Sequence, residues 1–312
     1  MTSGLKVPIA VALLLGGLGW LLSSPASGNA GAKPRRDAKP TLAISDWSMS
    51  QAARRGRVVY ETWCIGCHGE EGNGDGVAAA RLNPVPRNFQ KGYYKFRSTP
   101  SGELPTREDL LRTVTCGLVG SSMPEFKLLA EGHRRDVVEY VLFLTGYGLA
   151  KKEVSFLVDS EDLDMETIKK DHLAAIRAKV DLKINGVHPV AVSPEPAPTE
   201  EGIAQGKARY MTQCASCHGI TGRGDGPSSY TLRDWEYAEI RPRDFTTGVF
   251  RAGSTSRDIF LRLRTGLNGT PMPATDGEDA ELWNMVHFIQ SMKVATVFPT
   301  DRQGCQHEGG HR

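Results

Sequence analysis

Two short cysteine–histidine motifs carry the clearest chemistry in this sequence. The first, CIGCH, begins at Cys64, and the second, CASCH, begins 150 residues later at Cys214. Two thiols three residues apart share one helical turn and can form thioethers to the two vinyl groups of one haem, while the adjoining histidine binds the iron. The motifs therefore predict two covalently bound haem c groups. The attachment residues are Cys64, Cys67, Cys214 and Cys217, and the iron ligands are His68 and His218.

A methionine beside a proline follows each motif at nearly the same distance. Met123 comes 55 residues after His68, and Met272 comes 54 residues after His218. A zinc site is the alternative for a Cys-x-x-Cys pair, but it needs four ligands, and no second pair lies close to either copy. A thioether is a poor ligand for zinc and a good one for haem iron. We therefore predict Met123 and Met272 as the sixth ligands of two haem irons.

The residues around the two motifs repeat in the same order. Each copy reads Gly-x3-Tyr-x3-Cys-x2-Cys-His-Gly, starting at Gly56 and Gly206, and continues with a glycine-rich turn, a Met-Pro loop and an amphipathic helix. This order resembles the class I cytochrome c domain, over residues 45–150 and again over residues 201–300. The resemblance implies an all-α protein of two tandem domains, each with one haem and His/Met ligation.

The same resemblance implies a role in electron transfer rather than catalysis. A donor and an acceptor redox protein are then the expected partners, and the chain would be a shuttle or the cytochrome subunit of a respiratory or dehydrogenase complex. Haem is attached outside the cytoplasm in this family, so the resemblance also implies an exported, periplasmic protein. A formal net charge of +2 over 312 residues gives no nucleic-acid signature.

Two other functions remain open on the sequence. A dihaem cytochrome c peroxidase also has two attachment motifs in one chain, but it must free one iron for peroxide, whereas both copies here keep a methionine. An assembly subunit that docks a partner through its linker is the other alternative. The sequence does not separate that subunit from a shuttle.

Arginines recur at matching places after each motif. Arg87 and Arg243 lie in the short motifs PRNF and PRDF, where a guanidinium could pair with a haem propionate. Arg97 and Arg251 are weaker candidates for the same role. His287, in the last helix of the second copy, is a weak rival to Met272 as an iron ligand, and we expect it to face solvent.

The remaining segments are predicted from composition. Residues 1–30 contain an apolar run from Val7 to Leu22, which is either a cleaved export signal or a membrane anchor, and 31–44 form a flexible spacer. Residues 151–200 form a partly helical, Pro-rich linker, with one exposed helix from Asp162 to Val180. Residues 301–312 form a disordered tail.

Four of the six cysteines belong to the haem motifs, which leaves no disulfide framework. Cys116 aligns with Thr265 of the second copy, and we expect it to be a free, small packing residue.

Overall fold

The computed structural model describes residues 40–294, and the fold is all-α, as predicted. Within these residues no strand forms, and a single antiparallel bridge joins Arg233 to Glu239. The helices are α1 (Gln51–Trp63), α2 (Ile65–His68), α3 (Arg107–Cys116), α4 (Glu131–Glu161), α5 (Met165–Thr167), α6 (Leu173–Asn185), α7 (Glu200–Gln213), α8 (Ala215–His218), α9 (Ser256–Thr265) and α10 (Asp279–Ser291). Short 3-10 turns occur at Ile44–Asp46, Ala79–Arg81 and Pro227–Tyr230, and a π turn at Ile168–His172.

The first helix of each copy crosses the last helix at a glycine. A Cβ added to Gly56 in α1 would lie 1.8 Å from the carbonyl oxygen of Asp136 in α4. A Cβ added to Gly206 in α7 would lie 2.1 Å from the carbonyl oxygen of Asn284 in α10. Because no side chain separates the backbones, the helices approach closely and place α2 and α8, which follow directly, against the cores.

Each copy has its own apolar core, built around a tyrosine of the motif. Tyr60 is fully buried and makes an edge contact with Tyr140 of α4, with ring centroids 5.0 Å apart. Tyr210 is also fully buried and contacts Phe288 of α10 at 5.3 Å. The two cores are therefore equivalent in architecture, as expected of repeated aromatic positions.

Helix α4 is much longer than its apolar pattern predicts. We predict a helix from Asp136 to Thr145, but α4 extends to Glu161, through residue 150 where we predict the first domain to end. It ends where Asp162 adopts a left-handed backbone, with φ of 53°.

The helix predicted from Asp162 to Val180 is present as α5, the π turn and α6, which follow one another without a break from Met165 to Asn185, but the expectation that it is exposed is wrong. Helix α6 begins at Leu173 and packs on α4 in the core of the first copy. Its buried residues recur three or four positions apart, which gives one apolar stripe on the helix. They are Leu173, Ile176, Val180 and Ile184.

The end of the predicted spacer 31–44 is not flexible where the structure describes it. Leu42 is fully buried, and its carbonyl accepts a hydrogen bond from the Tyr147 hydroxyl at 2.9 Å. The predicted export signal or anchor (1–30) and the tail (301–312) lie outside the described residues. Between residues 40 and 294, no helix is both long and apolar enough to span a membrane.

The Pro-rich stretch from Val187 to Pro198, which we predict to be semi-extended, forms no helix or strand and is attached to both copies. The Val190 amide donates to the carbonyl of Ser98 at 2.8 Å. Further along, Glu195 pairs with His287 of α10 at 3.2 Å. His287 is consequently buried, and the expectation that it faces solvent is wrong because the linker covers it.

Candidate functional site

Each attachment motif forms one short helical turn at the end of a longer helix. The His68 amide donates to the Cys64 carbonyl at 2.9 Å, and the His218 amide donates to the Cys214 carbonyl at 2.8 Å. Burial, and then the neighbouring Cys67, raises the pKa of Cys64 to about 12. Burial likewise raises the pKa of Cys214 to about 11. All four motif cysteines are free thiols, the form that adds to a vinyl group.

The two histidines of the motifs are held in the same orientation. Nδ1 of His68 lies 3.1 Å from the carbonyl oxygen of Arg87, and Nδ1 of His218 lies 3.3 Å from that of Arg243. Burial lowers the pKa of both imidazoles. A neutral ring that donates from Nδ1 keeps Nε2 available for a metal.

A phenylalanine and a glycine-rich turn fix each histidine in place. The His68 ring stacks on Phe89 with centroids 4.5 Å apart, and the His218 ring stacks on Phe245 at 4.4 Å. The Gly74 amide donates to the His68 carbonyl at 2.8 Å. The segments Gly72–Gly76 and Gly222–Gly226 are therefore the glycine-rich turns predicted after each motif, and they fold around the histidines.

Each methionine lies in a closed loop that starts at the end of a helix. The Leu118 amide donates to the Met123 carbonyl, and the Leu267 amide donates to the Met272 carbonyl, both at 3.1 Å. The Met123 amide donates to the hydroxyl of Ser121 at 3.3 Å.

In the second copy the hydroxyl of Thr270 accepts from the Met272 amide at 3.2 Å. A hydroxyl two positions before each methionine is a signal in the sequence that our prediction did not use.

The described residues do not support a zinc site. Between residues 40 and 294 there is no group of three or more His, Cys, Asp or Glu side chains that could hold a metal ion. The side chains present suit haem c instead. Each copy offers two free thiols, a neutral imidazole and a thioether.

Arg87 and Arg243 lie where the two copies meet. Nη1 of Arg87 is 3.7 Å from a Cβ built on Gly269, in the methionine loop of the second copy. Nη2 of Arg243 is 3.3 Å from a Cβ built on Gly120, in the methionine loop of the first copy. Each arginine thus reaches the loop of the other copy, a relation that the sequence repeat alone does not reveal.

Further cations join these two arginines in an interface cluster, defined as Arg87, Lys95, Arg243, Arg251 and Arg262. Burial, and then the charges of Arg87 and others, lowers the pKa of Lys95 to about 8. Nε of Arg251 and Nη1 of Arg262 are buried without a hydrogen-bond partner within the described part of the chain. Such donors need an anion or another acceptor.

Arg97, a weaker candidate for a propionate contact, is not available for one. Its guanidinium is buried and donates to backbone carbonyls, including that of Thr265 in the second copy at 2.7 Å. The sequence suggested a propionate contact because an arginine recurs nearby in both copies. In the structure, however, Tyr94 stacks on Phe89 as Phe250 stacks on Phe245, so the counterpart of Arg251 is Lys95 and not Arg97.

Further contacts join the two copies outside this cluster. The insertion around Trp235 in the second copy contacts Tyr93, with ring centroids 4.8 Å apart, and Glu236 pairs with Lys91 at 3.1 Å. In the first copy the Gly102 amide donates to the side chain of Asn268 at 3.2 Å. These contacts are long-range, so a single sequence does not predict them.

Cys116 is disulfide-bonded, so the expectation of a free thiol at this position is wrong. The alignment with Thr265 predicts its size correctly but carries no information on its redox state.

Fold and site together define a helical protein with two c-type haem-binding domains. Residues 203–293 match the family model "Cytochrome c", and residues 51–141 match "Cytochrome C oxidase, cbb3-type, subunit III". The chain belongs to the class I cytochrome c family, as a tandem of two cytochrome c domains. Covalent haem c and electron transfer follow from that membership.

A solved structure is similar over most of the chain. It is a chain of the Kuenenia stuttgartiensis reducing HAO-like protein complex Kustc0457/Kustc0458, with 36% identity and a TM-score of 0.62. The similarity covers 81% of this chain and 100% of that chain. No curated protein matches the sequence.

Proposed function

We propose that the protein carries electrons between redox proteins on the periplasmic side of the membrane, using two haem c groups. The equivalent geometry of the two histidines and two methionine loops carries this proposal. Cys64 and Cys67, and likewise Cys214 and Cys217, would hold the haems. His68 with Met123, and His218 with Met272, would be the axial ligands.

The haem supplies reversible one-electron chemistry at its iron when bound. The residues of the chain keep that chemistry confined to electron transfer. The carbonyls of Arg87 and Arg243 accept hydrogen bonds from Nδ1 of His68 and His218. These bonds fix the orientation of each ring and leave its Nε2 free to bind an iron. Each closed loop would hold the thioether of its own domain, Met123 in the first and Met272 in the second, as an iron ligand, and would thereby exclude water and substrates from that iron.

The interface cluster supports an electron path between the two domains. Arg87 and Arg243 each lie beside a histidine segment and also beside the other domain. We propose that the two guanidinium groups would bind haem propionates, which would supply negative charge to the cationic cluster at the interface.

Replacement of each methionine tests the ligation. Met123→Ala should abolish the methionine–iron charge-transfer band of the first haem only and lower its potential, because the soft thioether favours the reduced iron. Met272→Ala should do the same for the second haem. A variant that leaves both spectrum and potential unchanged would show that its methionine is not a ligand.

Carbon monoxide and peroxide separate a carrier from a peroxidase. Two six-coordinate irons leave no open position, so the reduced protein should bind carbon monoxide slowly or not at all, and peroxide should not be consumed rapidly. The peroxide assay should include the half-reduced protein, because a peroxidase can open its site in that state. Stoichiometric carbon monoxide binding at one haem with rapid peroxide turnover would favour the enzyme.

A role as the cytochrome subunit of a larger complex is the second candidate. It is favoured by the similar solved chain, which is 36% identical and is covered over its whole length, because that chain belongs to a complex of an HAO-like protein. Native mass measurement of the protein purified gently from its own host distinguishes the two. A free shuttle gives the mass of the single chain, whereas a subunit retains a second redox protein.

A further inference from the structure

Arg97 is a buried arginine of the first domain whose guanidinium contacts the second domain. The residue is 5% exposed, and its Nη2 donates to the Thr265 carbonyl at 2.7 Å while Nη1 lies 3.4 Å from the Gly266 carbonyl. Nε donates to the Pro100 carbonyl at 3.3 Å, and Nη1 also lies 3.4 Å from the Tyr94 carbonyl. One side chain therefore ties the end of α9 to the first domain.

The two carbonyls that Arg97 contacts lie at the base of the methionine loop. Gly266 adopts φ of 65°, and a Cβ placed there would lie 3.0 Å from the Met272 carbonyl oxygen and 2.7 Å from the carbonyl carbon of Pro273. The loop returns to its own start at this point. The end of a helix carries partial negative charge, which a buried guanidinium complements.

The contact has no reciprocal partner. Arg97 lies three positions after Tyr94, and the residue three positions after its counterpart Phe250 is Gly253, which has no side chain to extend. The buried ion pair of Arg112 with Asp258 also links α3 to α9, so the first domain contacts the helix of the second domain at both its start and its end.

We propose that Arg97 is a positioning residue for the second haem iron: from the first domain, it holds closed the loop that carries Met272. The inference rests on the proposed His/Met ligation. Methionine coordination in the second domain then depends on the first domain being docked. Loss of the Met272 thioether from the iron would lower the potential of the second haem.

The full-length, haem-loaded Arg97→Met protein tests this through competition for the ferric iron by imidazole. Imidazole binds only when the methionine has left, so its apparent affinity reports how often the loop opens. Loss of the carbonyl contacts should tighten imidazole binding at the second haem about tenfold. The potential of that haem should fall. The first haem serves as an internal reference, and Met123→Ala and Met272→Ala assign the two signals.

Two further variants make the result specific. Lys91→Met removes another cation from the same interface, the partner of Glu236, without touching α9, and should leave imidazole binding unchanged. Arg97→Lys keeps the charge but cannot span two carbonyls, so it should give an intermediate affinity. It also replaces Arg97→Met if that variant does not fold.

Three outcomes overturn the proposal. Unchanged imidazole affinity and potential at the second haem in a folded Arg97 variant would show that the contact does not position the loop. Equal changes at both haems would show a general effect on the fold. No methionine signal from the second haem of the unaltered protein would refute the ligation itself, and this inference with it, and is distinguishable from the other two.

Discussion

Tyr60 and Tyr210 each donate a hydrogen bond from a buried hydroxyl to the turn that follows a haem-attachment motif. The Tyr60 hydroxyl donates to the Gly69 carbonyl at 2.7 Å, and the Tyr210 hydroxyl donates to the Gly219 carbonyl at 2.6 Å. Both tyrosines are fully buried, so water cannot replace the bond. The motif tyrosine thus acts on the backbone beside the histidine rather than on the haem chemistry.

We predict that Tyr60→Phe and Tyr210→Phe each lower the free energy of unfolding by about 1–3 kcal/mol, because each leaves a buried carbonyl without its donor. Denaturant titration of the haem-loaded protein measures the change. Tyr230→Phe is the matched control, since Tyr230 is 63% exposed, and it should alter stability little. Equal effects of all three substitutions would contradict the role of the buried hydroxyls.

Cys116 gives a second prediction at the residue scale. It is disulfide-bonded, the four motif cysteines form no disulfide, and the one other cysteine in the sequence is Cys305, outside the described residues. We predict that Cys305 is the partner. A disulfide is consistent with the exported location proposed above.

Alkylation of the denatured, unreduced, haem-loaded protein followed by mass measurement tests the pairing. The unaltered protein should take up no label, because the haem thioethers and the disulfide leave no thiol. Cys116→Ser should take up one label at Cys305, whereas Cys305→Ser should take up one at Cys116. A labelled Cys305 in the unaltered protein would show that Cys116 pairs differently.

At the scale of the elements, local patterns predicted the helices that depend on local residues. The sequence predicts helices from Ser256 to Thr265 and from Asp109 to Thr115, each followed closely by a glycine. The first is confirmed at both ends, because Thr255 caps it in a capping box and Gly266 ends it. The second starts two residues earlier than predicted, at Arg107, where Thr106 makes the same type of cap, and it ends one residue later, at Cys116.

The extension of α4 was not predictable from the same patterns. Residues beyond Thr145 are stabilised by packing on α6 and on the segment around Trp47, which are contacts between distant parts of the chain. Local apolar periodicity weakens there because α4 is buried on more than one side. Val137 to Tyr147 are nearly all buried, so no single stripe marks the helix.

The close approach of the helices at Gly56 and Gly206 predicts that neither position tolerates a side chain. Gly56→Ala and Gly206→Ala should each cost about 3 kcal/mol or more, because the new methyl would collide with a backbone carbonyl of α4 or α10. Gly132→Ala, also in α4 but with open space around its Cβ position, should be neutral or stabilise by up to about 1 kcal/mol.

Thermal or denaturant unfolding followed at each haem separates the two glycine variants. The first domain should unfold earlier in Gly56→Ala, and the second in Gly206→Ala. Loss of stability in Gly132→Ala comparable to that in Gly56→Ala would mean that the penalty arises from the helix rather than from the crossing.

At the scale of the whole molecule, the sequence repeat predicted two copies of one fold but not how they meet. The haem motifs, their histidines and the methionine loops are local and repeated, so they could be identified directly. Besides the matching arginines Arg87 and Arg243, the interface contains features that differ between the copies, such as Arg97 against Gly253 and the insertion around Trp235. A feature that occurs in only one copy has no counterpart at a matching position, so the repeat does not predict where it lies.

The buried pair of Arg112 and Asp258 is the ionic contact of this interface that responds most clearly to pH. Nη1 of Arg112 lies 2.7 Å from Oδ1 of Asp258, whose side chain is 1% exposed. Burial raises the pKa of Asp258, but the hydrogen bond and charge of Arg112 outweigh it, so the pKa lies below 3.8. A depressed pKa stabilises the fold above the pKa of the unfolded chain, and that stability is lost as the pH falls through the folded value.

We therefore predict that Arg112→Met costs about 3–5 kcal/mol of unfolding free energy at neutral pH, because it leaves the buried Asp258 carboxylate without its cation. The difference from the unaltered protein should shrink as the pH falls, because burial without Arg112 raises the pKa of the variant's Asp258 carboxyl, which then becomes neutral at a higher pH than the carboxyl of the unaltered protein. Adding Asp258→Asn to Arg112→Met should recover much of the loss at neutral pH, since no buried charge remains. Urea unfolding of the three proteins across this pH range measures the effect. A pH-independent cost of Arg112→Met, with no recovery in the double variant, would show that Arg112 stabilises the interface through packing and not through its charge.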